Sequence, residues 1–233
     1  GLLDGVLDLG HTSPGWTNLL SRGLNGLLED AHRHRDSLGD TITAQQKDFY
    51  EAVDIVYGAI LHWAGRLGKL AREMAVSVCE ADEGAQTVML PGQAARLIMV
   101  ADALENVPAN PPRTFHEALQ FAYLMHQAIE MEGEWVRSMG GFDRLYLPWF
   151  RSDIASGRLD REQAKELIQF FWTKFFAHTR GVANGKNFYL GGCLQDGSTA
   201  VNELSMLALE AYDELDTTDP KLSIRIGRNT QDA

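Results

Sequence analysis

Apolar residues recur along this chain at two spacings, and the spacings divide it into long helices and short strands. After the turn-like Thr12-Ser13-Pro14-Gly15, the series Trp16, Leu19, Leu20, Leu24, Leu27, Leu28 and Ala31 advances by threes and fours, the mark of a one-sided helix. Its polar tail, Arg33 to Asp36, belongs in water. The longest predicted helix covers 44–78, with Phe49, Val53, Val56, Ile60, Trp63, Leu67, Leu70 and Met74 as its buried stripe. Gly58, Gly65 and Gly68 each weaken that helix by about 1 kcal/mol relative to Ala, a cost that close packing against another helix offsets.

Pro91-Gly92 opens a helix through Ala94, Leu97, Ile98, Ala101 and Leu104, and the proline cluster 108–112 stops it. Thr114 is positioned as an N-cap, with Glu117 reaching back in a capping box that leads into a helix over 119–129. Asp160 and Gln163 repeat the arrangement ahead of a helix over 164–176, and Asn202 starts another that ends near Leu215. Between the helices lie three compact runs, 134–139, 187–191 and 222–226, each bounded by Gly, Asp or Pro; they read as strands, with a fourth over 5–9. Strands joined by long helical connections make a parallel sheet with right-handed crossovers, since antiparallel neighbours are usually joined by tight turns. The fold class is therefore α/β, helix-rich with short parallel strands, and no internal domain boundary stands out.

Composition narrows the function. With 21 Lys and Arg against 32 Asp and Glu, the formal charge of −11 repels phosphate backbones and anionic headgroups, which argues against nucleic-acid and membrane partners. Cys79 and Cys193 have no paired spacing, as in a reducing compartment, and the expected location is the cytoplasm. No run approaches the roughly 18 apolar residues of a membrane span. A start at Gly1 without Met and an end at Asn229-Thr230-Gln231-Asp232-Ala233 lead to the expectation that residues 1–233 are an internal excerpt of a larger protein.

Candidate chemistry is sparse. His116-Glu117-Ala118-Leu119-Gln120 begins like the zinc motif HExxH, but Gln120 stands where the second ligand must be, and Glu117 already has its capping role. Glu29-Asp30-Ala31-His32 matches one half of a di-iron bundle motif and lacks the other; His32 and His34 read as part of a solvated charged face. No metal site is expected. Cys193, after Gly191-Gly192, invites a nucleophile reading, against which a small buried residue at a strand end is preferred.

Three features are harder to set aside. His11, in Gly10-His11-Thr12, stands between a strand end and a helix start, where α/β proteins bind ligands, with a capping or core role as the alternative. Trp135, Val136 and Arg137 lie in a run that otherwise looks buried, and an Arg there needs an anionic partner, protein or ligand. The segment 181–188, which includes Gly185 and Lys186, offers glycines with amide and ammonium donors but neither phosphate-loop pattern, so a nucleotide site has weak support.

Taken in order, the residues resemble the glycyl radical enzymes, the group typified by pyruvate formate-lyase and including diol dehydratases, amino-alcohol lyases and arylacetate decarboxylases. The resemblance runs over nearly the whole chain. It rests on Gly10-His11 with Trp16; Thr114-Phe115-His116-Glu117-Ala118-Leu119-Gln120; Ser138-Met139-Gly140-Gly141-Phe142-Asp143; and Asp153-Ile154-Ala155-Ser156-Gly157-Arg158-Leu159. Asn187, Leu190-Gly191-Gly192, Asp196-Gly197, Asn202-Glu203-Leu204-Ser205 and Asp219-Pro220-Lys221-Leu222-Ser223-Ile224-Arg225 complete it.

The resemblance implies a ten-stranded α/β barrel of two halves, with this chain supplying part of the first half. It implies a glycyl radical, installed by an S-adenosylmethionine iron–sulfur activase, which generates a cysteine thiyl that abstracts hydrogen from an enclosed small-molecule substrate; a homodimeric parent is also expected. The thiyl cysteine and the glycine loop are expected outside these residues, so the chain binds no cofactor and has no catalytic residue of its own. His11, Trp135, Val136, Arg137 and Gly185 are the expected substrate-binding residues. His11, where pyruvate formate-lyases carry Arg, resembles the dehydratase branch, whereas Gly140-Gly141-Phe142-Asp143-Arg144 and Gly185 depart from it. A barrel-derived binding or scaffold protein without chemistry, and an unrelated helical metalloprotein, are the competing classes.

Overall fold

The computed structural model describes residues 12–80, 92–131, 136, 138–177 and 186–230, with no side-chain description for 79 and 80. The chain forms two compact units: residues 18–112 make one, and 1–17 together with 113–233 make the other. No linker composition marks this division, because the second unit is assembled from both sides of the first along the sequence.

The unit of residues 18–112 is helical. It contains most of α1 (Trp16–Ser37), all of α2 (Ala44–Glu80) and all of α3 (Gln93–Asn106). Inside α1, Gly23 leaves helical geometry with φ of 63°. A Cβ there would sit 2.6 Å from the Ala109 carbonyl oxygen, so only glycine permits that approach. The freed amides of Leu24 and Asn25 donate to the carbonyls of Pro108 and Ala109 at 2.8 and 3.0 Å.

The predicted buried stripe of α2 is wrong at half its positions. Phe49 is 62% exposed, and Val56, Leu70 and Met74 are also exposed; the buried positions are Tyr50, Ala64, Gly68, Ala71 and Ala75. Two apolar stripes run along this helix, and the one with small residues faces α3 because it allows the closer approach. At Gly68 an added Cβ would lie 3.3 Å from the Leu104 Cβ, whereas at Gly58 and Gly65 it would meet nothing. The tail of α1 is not simply solvated either: His32 Nε2 lies 2.5 Å from the Asp54 carboxylate, and His34 Nδ1 is hydrogen-bonded to the Tyr50 hydroxyl.

The second unit is α/β. Its sheet has the order β1 (Ser138–Gly141), β2 (Asn187–Gly191), β3 (Lys221–Arg225), all parallel, in agreement with the long crossovers. Thr12 adds a parallel bridge to Val136 ahead of β1. β1 overlaps the predicted run 134–139 at Ser138 and Met139 and extends to Gly141, with a bulge between Ser138 and Gly140 where Gly140 takes φ of 84°. β3 begins one residue earlier than expected. Residues 5–9 lie outside the described residues.

Helix α4 (Phe115–Met131) precedes β1, α7 (Arg161–Ala177) lies in the crossover from β1 to β2, and α8 (Glu203–Leu215) forms the crossover from β2 to β3. Two further helices, α5 (Phe142–Leu145) and α6 (Leu147–Ala155), fall in a stretch with no predicted element. The caps act nearly as read. Thr114 Oγ1 accepts from the Glu117 amide at 3.1 Å, but Glu117 reaches one residue further back, taking the Arg113 amide at 2.6 Å and pairing with its guanidinium. Asp160 and Gln163 exchange both bonds at 2.8 and 2.9 Å, and Asn202 with Ser205 closes a full capping box. The Asp153 carboxylate, 1% exposed, accepts from the Phe115 amide at 2.9 Å and so caps α4 from α6.

One face of the sheet carries the core. Phe188 and Leu190 are buried, and Phe188 meets Phe142, Phe171 and Phe175 edge-on at centroid distances of 5.9, 5.7 and 5.5 Å. Such pairs add about 0.5–1.5 kcal/mol each beyond the area they bury.

Candidate functional site

Strand register sorts the side chains of β2 and β3 onto two faces. Asn187 pairs with Lys221, Tyr189 with Ser223 and Gly191 with Arg225, so these residues share the face opposite Phe188 and Leu190. They are in contact: Ser223 and Asn187 are hydrogen-bonded at 2.9 Å, and the Arg225 guanidinium lies 3.6 Å above the centre of the Tyr189 ring. A second guanidinium, that of Arg144 at the end of α5, lies 5.6 Å from the same ring.

Glycines shape this surface. A Cβ on Gly141 would meet the Tyr189 ring at 2.5 Å, so the ring lies over β1 in space that any side chain at 141 would occupy. Gly140 is held from the side by Trp16, to whose Cδ1 an added Cβ would come within 3.3 Å, and Trp16 Nε1 donates to the Ser138 carbonyl at 2.9 Å.

Parallel sheets are normally buried on both faces and read as nearly continuous apolar runs. Here Lys221-Leu222-Ser223-Ile224-Arg225 alternates strictly, with its polar members on the face away from the helices. A parallel sheet with one apolar and one polar face is not the centre of a core covered on both sides.

Below the sheet, Asp143 joins three elements. Its side chain is fully buried; one oxygen accepts from the Gly191 amide at 2.6 Å and the Ser205 hydroxyl at 2.5 Å, and its own carbonyl accepts from Asn202. Burial raises its pKa, and the bonds from Ser205 and Gly191 oppose that shift. At the N-terminal ends of the strands, Lys186 is buried against the Glu130 carboxylate, with Asp219 near enough to favour its charge, although burial lowers its pKa on balance. The ammonium read as a phosphate donor therefore already has a carboxylate partner.

Of the expected substrate-binding residues, His11, Trp135, Arg137 and Gly185 lie outside the described residues. Val136 is fully buried and paired with Thr12, so the residue after His11 and the residue after Trp135 are strand neighbours. Cys193 is exposed, contrary to the buried position expected of it, because the chain turns into a short hairpin closed by its bridge to Thr199. Its sulfur packs against Gly227. Sequence reasoning missed Tyr189, Arg225 and Asp143 as site-forming residues. The alternation in 221–225 was the available signal for Arg225.

A helix-backed parallel sheet with a polar inner face defines an α/β enzyme-type scaffold. The chain matches the pyruvate formate lyase-like family over residues 6–233 and belongs to that family. It is 30% identical over 228 residues to an isethionate sulfite-lyase of Oleidesulfovibrio alaskensis, covering 91% of this chain and 26% of that protein. A crystal structure of a glycyl radical enzyme from Archaeoglobus fulgidus superposes with a TM-score of 0.79 at 30% identity, over 93% of this chain and 28% of that one. A structure described for 1,2-propanediol dehydration in Roseburia inulinivorans gives 0.82 at 28% identity, over 93% and 26%. The chain thus spans about a quarter of the length of the relatives it matches. Its helix-rich α/β form with a short parallel sheet is the glycyl radical enzyme fold, and its relatives include lyases and dehydratases of that kind.

Proposed function

We propose that this chain forms part of the substrate-enclosing wall of a glycyl radical lyase or dehydratase, an enzyme that breaks a C–O, C–C or related bond of a small polar substrate. The observation that carries this reading is the polar face of a parallel sheet whose other face buries Phe188 and Leu190 against the helices. The sheet is one portion of a ten-stranded barrel, and residues 1–233 are one part of a larger catalytic domain. A protein glycyl radical, installed by an S-adenosylmethionine iron–sulfur activase, supplies hydrogen abstraction through a thiyl in such an enzyme. The residues of this chain do the enclosing and orienting. Cys193 is not assigned the thiyl role.

Within that wall, His11, Trp135, Val136, Arg137 and Gly185 are the substrate-binding set. The Thr12–Val136 bridge supports bringing the His11 and Trp135 segments to one place. Trp135 fills volume that Gly185 leaves vacant, and His11 supplies a polar contact to the substrate. In the intact, activated protein, His11→Ala and Trp135→Ala should each lower turnover or shift substrate preference while the glycyl radical signal in electron paramagnetic resonance stays at the wild-type level. Wild-type kinetics in both variants would remove these residues from the pocket. A protein that forms no radical with any activase would support a scaffold without chemistry.

A further inference from the structure

We propose that the polar face of the sheet contains an anion-binding subsite formed by Arg225 and Arg144 around Tyr189, suited to a sulfonate, phosphate or carboxylate group on a small molecule. The proposal rests on the reading of this face as a substrate wall and adds the chemical class that the wall selects.

The first support is charge. The protein carries a formal −11, yet the side chains that register places on this face are Asn187, Tyr189, Lys221, Ser223 and Arg225, with no carboxylate among them. Arg144 adds a further cation at the same ring. Three cations on one face with no carboxylate among its register-placed residues favour anions at that face of an otherwise acidic protein.

The second support is geometry. The Arg225 guanidinium lies 3.6 Å over the centre of the Tyr189 ring, a contact that restricts its motion while leaving N–H donors available to a ligand. Tyr189 is itself fixed by its seat over Gly141, and the Arg225 main chain is anchored by the Gly192 amide, which donates to its carbonyl at 2.8 Å. A guanidinium fixed in this way binds an oxoanion through two parallel hydrogen bonds with little further ordering.

The third support is the absence of an internal partner. Four other guanidiniums of this unit are taken up by carboxylates, Arg113 by Glu117, Arg151 by Glu203, Arg158 by Asp153 and Arg161 by Glu210, while Arg228 has no ion pair among the described residues. Arg225 and Arg144 have no ion pair among the described residues. The nearest acid, Asp143, feels the charge of Arg144 but turns its carboxylate to Gly191 and Ser205. Arg225 and Arg144 converge on one ring with their hydrogen-bonding capacity unused.

The test is calorimetric titration of the intact protein with methanesulfonate, acetate and inorganic phosphate at constant ionic strength. At least one of the three should bind saturably at one site. Arg225→Gln should weaken that binding at least tenfold, Arg144→Gln by several-fold, and Arg151→Gln, which removes an equivalent cation outside this face, by less than twofold. Tyr189→Phe should keep the affinity because the ring remains, and Tyr189→Leu should lose it. Circular dichroism of each variant confirms that the fold is retained. Equal weakening by Arg225→Gln and Arg151→Gln would reduce the effect to general charge and overturn the subsite, as would the lack of saturable binding by all three anions. A normal radical signal with turnover of a neutral substrate, together with no anion binding, would reject the subsite and leave the enzyme reading in place. Saturable anion binding in a protein that forms no radical would do the reverse.

Discussion

The two units of this chain solve the same packing problem with opposite materials. The α/β unit buries large rings, Phe142, Phe171, Trp172, Phe175 and Phe188, in edge-on and tilted contact, and ties its elements together with buried carboxylates at Asp143 and Asp153. The helical unit buries small side chains, Ala64, Gly68, Ala71 and Ala75, and leaves Phe49, Ile55, Val56, Leu70 and Met74 exposed. In the first, stability comes from side-chain volume and specific polar bonds. In the second, close backbone approach between α2 and α3 is combined with a smaller set of large buried side chains, among them Leu20, Leu24 and Tyr50. The contrast shows that hydrophobic periodicity identifies an element without identifying which of its faces is internal.

The largest effect should follow from deleting volume in the aromatic cluster. Phe188→Ala is expected to cost about 3–5 kcal/mol in denaturant unfolding, whereas Phe49→Ala in the helical unit should change stability by no more than about 0.5 kcal/mol. Comparable losses in the two variants would mean that Phe49 is buried in solution, and the comparison between the units would fail. Next in size is the glycine pair on α2. Gly68→Val presses on Leu104 and should cost about 1–3 kcal/mol, while Gly65→Ala, with open space around it, should stabilise by up to about 1 kcal/mol. A gain from both substitutions would show that α2 and α3 are not in close contact.

The smallest predicted effect is electrostatic and belongs to the α/β unit. His116 has a lowered pKa, chiefly from burial and then from the neighbouring Lys174 charge. The folded state therefore takes up a proton less readily than the unfolded state, for which the ordinary value is 6.5. Stability should be independent of this group above that value and should decrease as pH falls from there toward the depressed folded-state pKa. Urea midpoints measured from pH 7 to 5 should show this decrease, and His116→Gln should reduce it. An unchanged pH dependence in the variant would assign the decrease to other groups.

Much of the architecture was legible in the chain. The strands read at 187–191 and 222–226 are bounded by glycine and proline, the caps at Thr114 and Asp160 have distinctive spacing, and the crossover lengths favoured parallel pairing. What was not legible depended on through-space choices. Residues 142–155 begin with aromatic and basic residues and lack a regular apolar period, so two short helices there were missed. On α2, two stripes matched the helical period equally well, and only the neighbouring helix decides between them. Asp143 carries no local sign of burial, since its partners Gly191 and Ser205 are 48 and 62 residues away. The polar sheet face was visible as alternation in 221–225, but it takes on functional meaning only once the sheet is known to be parallel.

The position of Asp143 also bears on the order in which this unit can assemble during synthesis. Its carboxylate is shielded from water only when β2 and the start of α8 are in place, because the Gly191 amide and the Ser205 hydroxyl are its hydrogen-bond donors. Until Ser205 has left the ribosome, sealing β1 and α5 into the interior would bury the carboxylate without one or both of these donors, at a cost of about 1–3 kcal/mol. The growing chain is thereby kept from closing early around a partial sheet, and the segment from β1 to α8 is committed to fold as one cooperative step.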